Sequence, residues 1–235
     1  METEQEKDEH RYFTFPVTLL QGAFEDVCEV CCNIITYCCY RIGIGMESST
    51  NLGKMKAAAK YFEMEFSDPD QAYQNGLKIF QTTPDRTPMT SIKKELVLDF
   101  YKNNKNEFQI AVFLAFCSIR SILQTKPYCK AVDVYLLSRM NGNAKMCEDY
   151  LSHPILKKYS SRYFLNKLKE ELINNWKMKY YAKKTRGFYV SFDLSLDELV
   201  LQVIKKQKKQ LNEKHQNEVK EAIRKANEKL NGNMH

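Results

Sequence analysis

The chain has 235 residues, 43% of them hydrophobic, with only 8 Gly and 6 Pro, a composition that allows a sizeable core and excludes a low-complexity or collagen-like chain. Its net charge of +7 is unevenly held: residues 151–235 carry 19 Lys and Arg against 9 Asp and Glu, net +10, while residues 1–150 carry 17 against 20, net −3. A general lysine bias would raise both parts alike, so the second part is expected to face a polyanion, with nucleic acid ahead of an anionic membrane surface.

The opening METEQEKDEH is acidic and polar, the reverse of a signal peptide, and no run reaches the roughly 18 to 20 apolar residues of a membrane span. A cytoplasmic location is therefore expected, with the 8 cysteines as reduced thiols. Residues 1–10 read as an acidic flexible lead.

Residues 11–105 read as an all-helical domain. After a short apolar entry with Tyr12, Phe13 and Phe15, one long helix is expected over 18–41, apolar around more than half its circumference and so central, with Gly43 as its C′ residue. Cys28 and Cys31 form a C-x-x-C inside it, but zinc needs a second pair from another segment and none is visible. Five thiols on one helix, Cys28, Cys31, Cys32, Cys38 and Cys39, point to small core hydrophobes. Gly53-Lys54 is not a phosphate loop, because Met55 stands where Ser or Thr is needed and Ser48 where Gly is needed. Further helices are predicted over 51–65, from Asp68-Pro69 as N-cap and first residue, and from Thr87-Pro88, which carries Ile92, Leu96, Val97 and Phe100 on one side.

A second unit spans 106–204. Residues 108–123 are apolar nearly all round and predict a buried helix. Lys126-Pro127-Tyr128 is an extended connection, residues 130–140 are helical, and residues 143–159 form a connector, with room for a short helix around 146–151, broken at His153-Pro154. From Phe164 the apolar residues Leu165, Leu168, Leu172 and Trp176 recur at helical steps. The period then changes to two: Met178, Tyr180 and Ala182, and after Lys183-Lys184-Thr185-Arg186-Gly187 also Phe188, Val190 and Phe192. That is a helix followed by a β-hairpin, with Gly187 placed where such a loop needs positive φ.

Helix, extended piece, helix, connector, helix and hairpin, in that order, resemble the winged-helix superfamily of helix-turn-helix proteins. The resemblance covers residues 106–204 and implies a third helix in the DNA major groove with a hairpin wing on the backbone. The sequence departs from the pattern in its long connector before the third helix. On that resemblance Ser160 or Ser161 would cap the third helix and open a phosphate site at its N-terminus. Arg162, Tyr163, Asn166, Lys167 and Lys169 would face the groove. Lys179, Lys183, Lys184, Thr185 and Arg186 would grip phosphates from the wing. The charge agrees, since residues 155–190 hold ten basic residues against Glu170 and Glu171.

Ser195-Leu-Asp-Glu198 is a capping box that starts a new helix, and residues 205–235 form a charged C-terminal helical arm with a thin apolar stripe, a candidate coiled coil. There is no H-E-x-x-H, no G-x-S-x-G and no cofactor or metal motif, so no catalytic residue is assigned. The fold expected is mainly α, an N-terminal helical domain followed by a winged-helix domain with one hairpin and a long last helix. The function expected is binding of nucleic acid, DNA ahead of RNA, by a transcriptional regulator or a replication or mobile-element accessory factor. A homodimer through the N-terminal helices or the arm would suit it. The alternative is a non-enzymatic scaffold whose basic face meets an acidic protein.

Overall fold

The computed structural model describes residues 12–182 and 187–232, with side chains through Lys225. The expected lead of residues 1–10 and the hairpin loop 183–186 lie outside the described residues. The protein is mainly helical with two small antiparallel sheets.

The first surprise for an all-helical reading of residues 11–105 is a strand pair. β1 (Tyr12–Pro16) runs antiparallel to β2 (Met89–Lys93), with Phe13 opposite Ile92 and Phe15 opposite Thr90. The helix expected from Thr87-Pro88 is therefore a strand first, and only α4 (Lys94–Lys102) is helical. Thr90 and Ile92 are β-branched and suit a pleated surface, but their partner lies far back along the chain, where local periodicity does not reach. Pairing drives Phe13, Phe15 and Ile92 to full burial, and Thr14 Oγ1 donates to Ser91 Oγ at 3.0 Å on the opposite face.

The helix expected over 18–41 is also divided. A 3-10 turn (Val17–Leu20) leads through Gly22, at φ 82°, to α1 (Val27–Gly43). Asp26 causes the restart, since its carboxylate accepts from Glu29 N at 2.8 Å and caps the new helix. Gly43 lies within the last turn and Ile44 is the C-cap, so Gly43 is not the C′ residue. Its lack of a Cβ instead admits α2 (Asn51–Tyr61), whose Lys54 carbonyl oxygen would lie 3.1 Å from one. α3 (Pro69–Thr82) starts as its sequence directs, with Asp68 capping and Pro69 at the first turn. α1 is central, packing on α2, α3, α4 and β1.

α5 (Glu107–Leu123) is opened by an Asn106–Gln109 capping box and buries Ile110 to Ala115, Cys117 and Ile119. The helix expected over 130–140 is split into β3 (Cys129–Ala131) and α6 (Asp133–Met140). In the connector, the short helix expected around 146–151 is a 3-10 turn (Asp149–Ser152), and the break at His153-Pro154 instead opens a further helix, α7 (Pro154–Tyr159), with His153 as N-cap and Pro154 in the first turn. Then follow α8 (Arg162–Asn175), β4 (Lys179–Tyr181), β5 (Phe188–Ser191) and α9 (Leu196–Gly232).

Burial does not stop at residue 106. One cluster of buried apolar side chains runs from Phe13 to Val190, Phe100 and Phe113 stack with centroids 4.4 Å apart across that point, and Thr90 Oγ1 donates to the Cys117 carbonyl at 2.9 Å. No helix among the described residues is long and apolar enough to cross a membrane.

Candidate nucleic-acid interface

The connector between α6 and α8 is long, as the sequence suggested, and holds the 3-10 turn and α7, so the departure from a tight helix-turn-helix stands; only two residues separate α7 from α8. Ser160 belongs to the end of α7, where its Oγ donates to the Lys157 carbonyl at 2.7 Å. Ser161 holds the N-cap position of α8 in extended geometry, but its hydroxyl makes no capping bond. The first-turn N–H groups of α8 thus keep their donor capacity at the surface.

The 3.6-residue period of α8 buries Leu165, Leu168 and Leu172 and leaves Arg162, Tyr163, Asn166, Lys167, Glu170 and Ile173 exposed on the other side. Tyr163 is 70% exposed. Lys167 Nζ stands 5.3 Å from the centre of the Phe108 ring at the start of α5, and beside it Lys158 pairs with Glu107 at 2.8 Å. Arg162, Tyr163, Asn166 and Lys167 are brought together as expected. Glu170 joins them, so the helical face itself carries two cations and one anion, a weaker charge than a count along the chain implies.

Lys169 does not join them. It is 8% exposed, its Nζ meets Asp133 Oδ1 at 2.6 Å, and it sits 4.3 Å from the centre of the Phe188 ring. Its position borders the buried arc of α8, where an aliphatic stem packs inward and the charge needs an internal partner. It ties α8 to α6 and β5 and offers no charge to a ligand.

β3, β5 and β4 form one antiparallel sheet in that order, with Lys130 opposite Tyr189 and Tyr181 opposite Tyr189 on the other edge. Cys129, Val190 and Tyr180 share one face and pack inward. Tyr189 and Tyr181 lie on the other, against Leu199 and Val203 of α9. Lys179 is exposed at the start of β4. Lys183, Lys184, Thr185 and Arg186 lie outside the described residues, while Gly187 at the loop's end takes φ 93°, as its place in the hairpin required. Ser191 holds the strand's exit by donating to the Pro127 carbonyl at 2.6 Å.

A second basic and aromatic surface lies at the base of the arm, where the lysine pairs Lys205-Lys206 and Lys208-Lys209 are expected to extend the basic surface. Lys130 Nζ lies 6.0 Å from the Tyr189 ring centre and Lys206 Nζ 5.9 Å from that of Tyr128. The signal for it was the lysine pair at the base of the arm, but only the strand register shows which tyrosines it meets.

Of the five α1 thiols expected in the core, Cys31, Cys38 and Cys39 are buried, as are Cys117 and Cys129, whereas Cys28 and Cys32 are exposed because they fall on the solvent side of the helix. Burial, helped by the nearby Cys28 and Cys32, pushes the Cys31 thiol up to about 12, and burial alone takes Cys39 to about 12. Burial likewise raises Cys38 and Cys117 well above the ordinary thiol value. Such buried thiols are poor nucleophiles at neutral pH. Among the described residues no three His, Cys, Asp or Glu side chains converge as a metal site. No family model, curated protein or solved structure matches the chain.

Proposed function

We propose that the protein binds duplex DNA through a winged-helix-like unit over residues 106–204, with α8 as the groove-facing helix and the β4–β5 hairpin as the wing. The observation that carries the reading is the joining of β3 to the hairpin in one sheet. It sets the hairpin and the exposed face of α8 on one body, which Lys169 then locks together. A surface helix suits the wide major groove of B-form DNA, whereas the deep, narrow groove of RNA does not admit one. Arg162 and Asn166 are the base-reading candidates, and Lys167, Lys179 and the wing residues Lys183, Lys184 and Arg186 supply phosphate contacts. Transcriptional regulation and an accessory role in replication or element mobility are the processes such a module fits.

A salt series on a fluorescent duplex tests this. Binding weakens steeply with salt, Lys167→Ala lowers the log–log slope by about one unit, and the triple substitution of Lys183, Lys184 and Arg186 lowers it by about three. An unchanged slope in both variants overturns the reading. The second reading, a surface for an acidic protein, draws on the exposed Tyr163 and Ile173 around Glu170. Failure of the intact chain to bind any duplex at low salt would favour it.

A further inference from the structure

α6 carries a buried arginine that no acidic side chain among the described residues pairs. Arg139 is 3% exposed. Its Nη2 donates to the Tyr135 hydroxyl and its guanidinium carbon stands 4.9 Å from the centre of that ring. Its Nε and Nη1 have no hydrogen-bond partner, and neither does the nearby Asn143 Nδ2. A buried cation is tolerated only where something compensates it.

The Tyr135 hydroxyl is the polar group that the guanidinium does reach. Tyr135 lines an open cleft of about 540 Å³ between β3, the start of α6 and the loop at Lys145, and among the described residues none of its lining side chains is acidic. Lys130 and Lys145 stand on its rim. Because the Tyr135 oxygen accepts from Arg139, its own hydrogen is left to donate, polarised by the cation behind it.

The rim is held in place. Ser138 Oγ donates to the Lys145 carbonyl at 2.7 Å and accepts from Cys147 N at 3.2 Å. Gly142, at φ 76°, turns the chain where a Cβ would stand 3.0 Å from Gln21. The cleft also adjoins the wing: a Cβ at Gly187 would lie 2.9 Å from Val132 Cγ1 and 3.2 Å from Lys130 Cε.

We propose that this cleft is a phosphate site, with Lys130, Lys145 and the Tyr135 hydroxyl as its contacts and Arg139 as the positioning residue behind them. The source of the phosphate as a DNA backbone group rests on the duplex reading above; the chemistry of the site does not.

The test is a titration of the 15N-labelled full chain, at fixed ionic strength, with a short duplex and separately with inorganic phosphate and pyrophosphate. The Arg139 Nε–H and Lys145 amide resonances shift with the duplex. Tyr135→Phe, which keeps the stacked ring, and Lys145→Gln each weaken duplex binding by about threefold to tenfold, and Lys145→Gln lowers the salt slope by about one unit. A shift with phosphate or pyrophosphate but not with duplex supports the site and overturns the backbone as its source. No duplex binding at all, with the phosphate shift intact, overturns the duplex reading and leaves the site standing. No shift with any probe, while Arg162→Ala still weakens duplex binding, overturns the site and leaves the duplex reading standing.

Discussion

Lys167 and Lys169 are two residues apart in α8 and answer to different constraints. The first projects beyond the helix surface; the second is buried against Phe188 and paired with Asp133. Lys169→Ala is expected to lower unfolding free energy by about 2 kcal/mol, short of the usual cost of breaking a buried pair because Asp133 keeps half its side chain in solvent. Urea denaturation would show that loss, while the salt dependence of duplex binding stays as in the parent. Lys167→Ala should do the reverse. The cysteines make a pH prediction. Burial raises Cys31, Cys39 and Cys129 from 9.0 to about 12, so the folded state holds these protons more tightly than the unfolded one. Their contribution is fully present below the unfolded value and is lost as pH rises from about 9 toward about 12. The thermal midpoint is expected to fall across that window, and Cys31→Ala to flatten the fall. Below it, iodoacetamide followed by mass spectrometry should find Cys28 and Cys32, the two exposed thiols, alkylated before the five buried ones.

Elements whose ends are signalled by their own residues were legible in advance. Asp68-Pro69 starts α3, Ser195 and Glu198 open α9, and the change of period after Trp176 marks the end of α8 and the start of the hairpin. Asn106→Ala is expected to cost about 1 kcal/mol by removing half of a reciprocal cap, read from the urea midpoint with the slope unchanged. Elements that depend on a distant partner were not legible. Ile92 stands at helical spacing from Leu96 and Val97 of α4, yet the pairing of β2 with β1 overrides that pattern at its start, since strand hydrogen bonds and burial of Phe13 outweigh weak local preference. Phe13→Ala should cost about 3 to 5 kcal/mol, the price of a large cavity at the sheet–helix junction. A substitution that merely disturbed a flexible entry segment would cost almost nothing, so the same denaturation experiment separates the two cases.

At the scale of the molecule, the Phe100–Phe113 stack and the Thr90–Cys117 bond place the two expected units around a shared interior. Thermal unfolding of the chain is expected to be a single transition, and fragments 1–105 and 106–235 expressed apart should each lack cooperative melting, because each would expose half of that interior. The arm is different in kind. α9 buries Leu199 and Val203 near its start and leaves Leu211, Val219 and Ile223 exposed further on. Ion pairs within the helix, such as Lys214–Glu218 at 3.7 Å, lie along that stretch, and each is worth little in solvent. Truncation after Gln210 should therefore leave the unfolding free energy within about 0.5 kcal/mol of the parent while the helical circular-dichroism signal drops.

The amino-acid sequence by itself determined the helical character, the basic second part and the order of helix and hairpin around residue 176, because caps, periodicity and charge act over a few residues. Tertiary structure alone decided that β1 reaches β2, that β3 completes the hairpin's sheet, that Lys169 turns inward and that Arg139 is buried behind Tyr135. Those outcomes depend on which surfaces meet after the chain has folded back on itself, and the free energy of that meeting is not written in any local window.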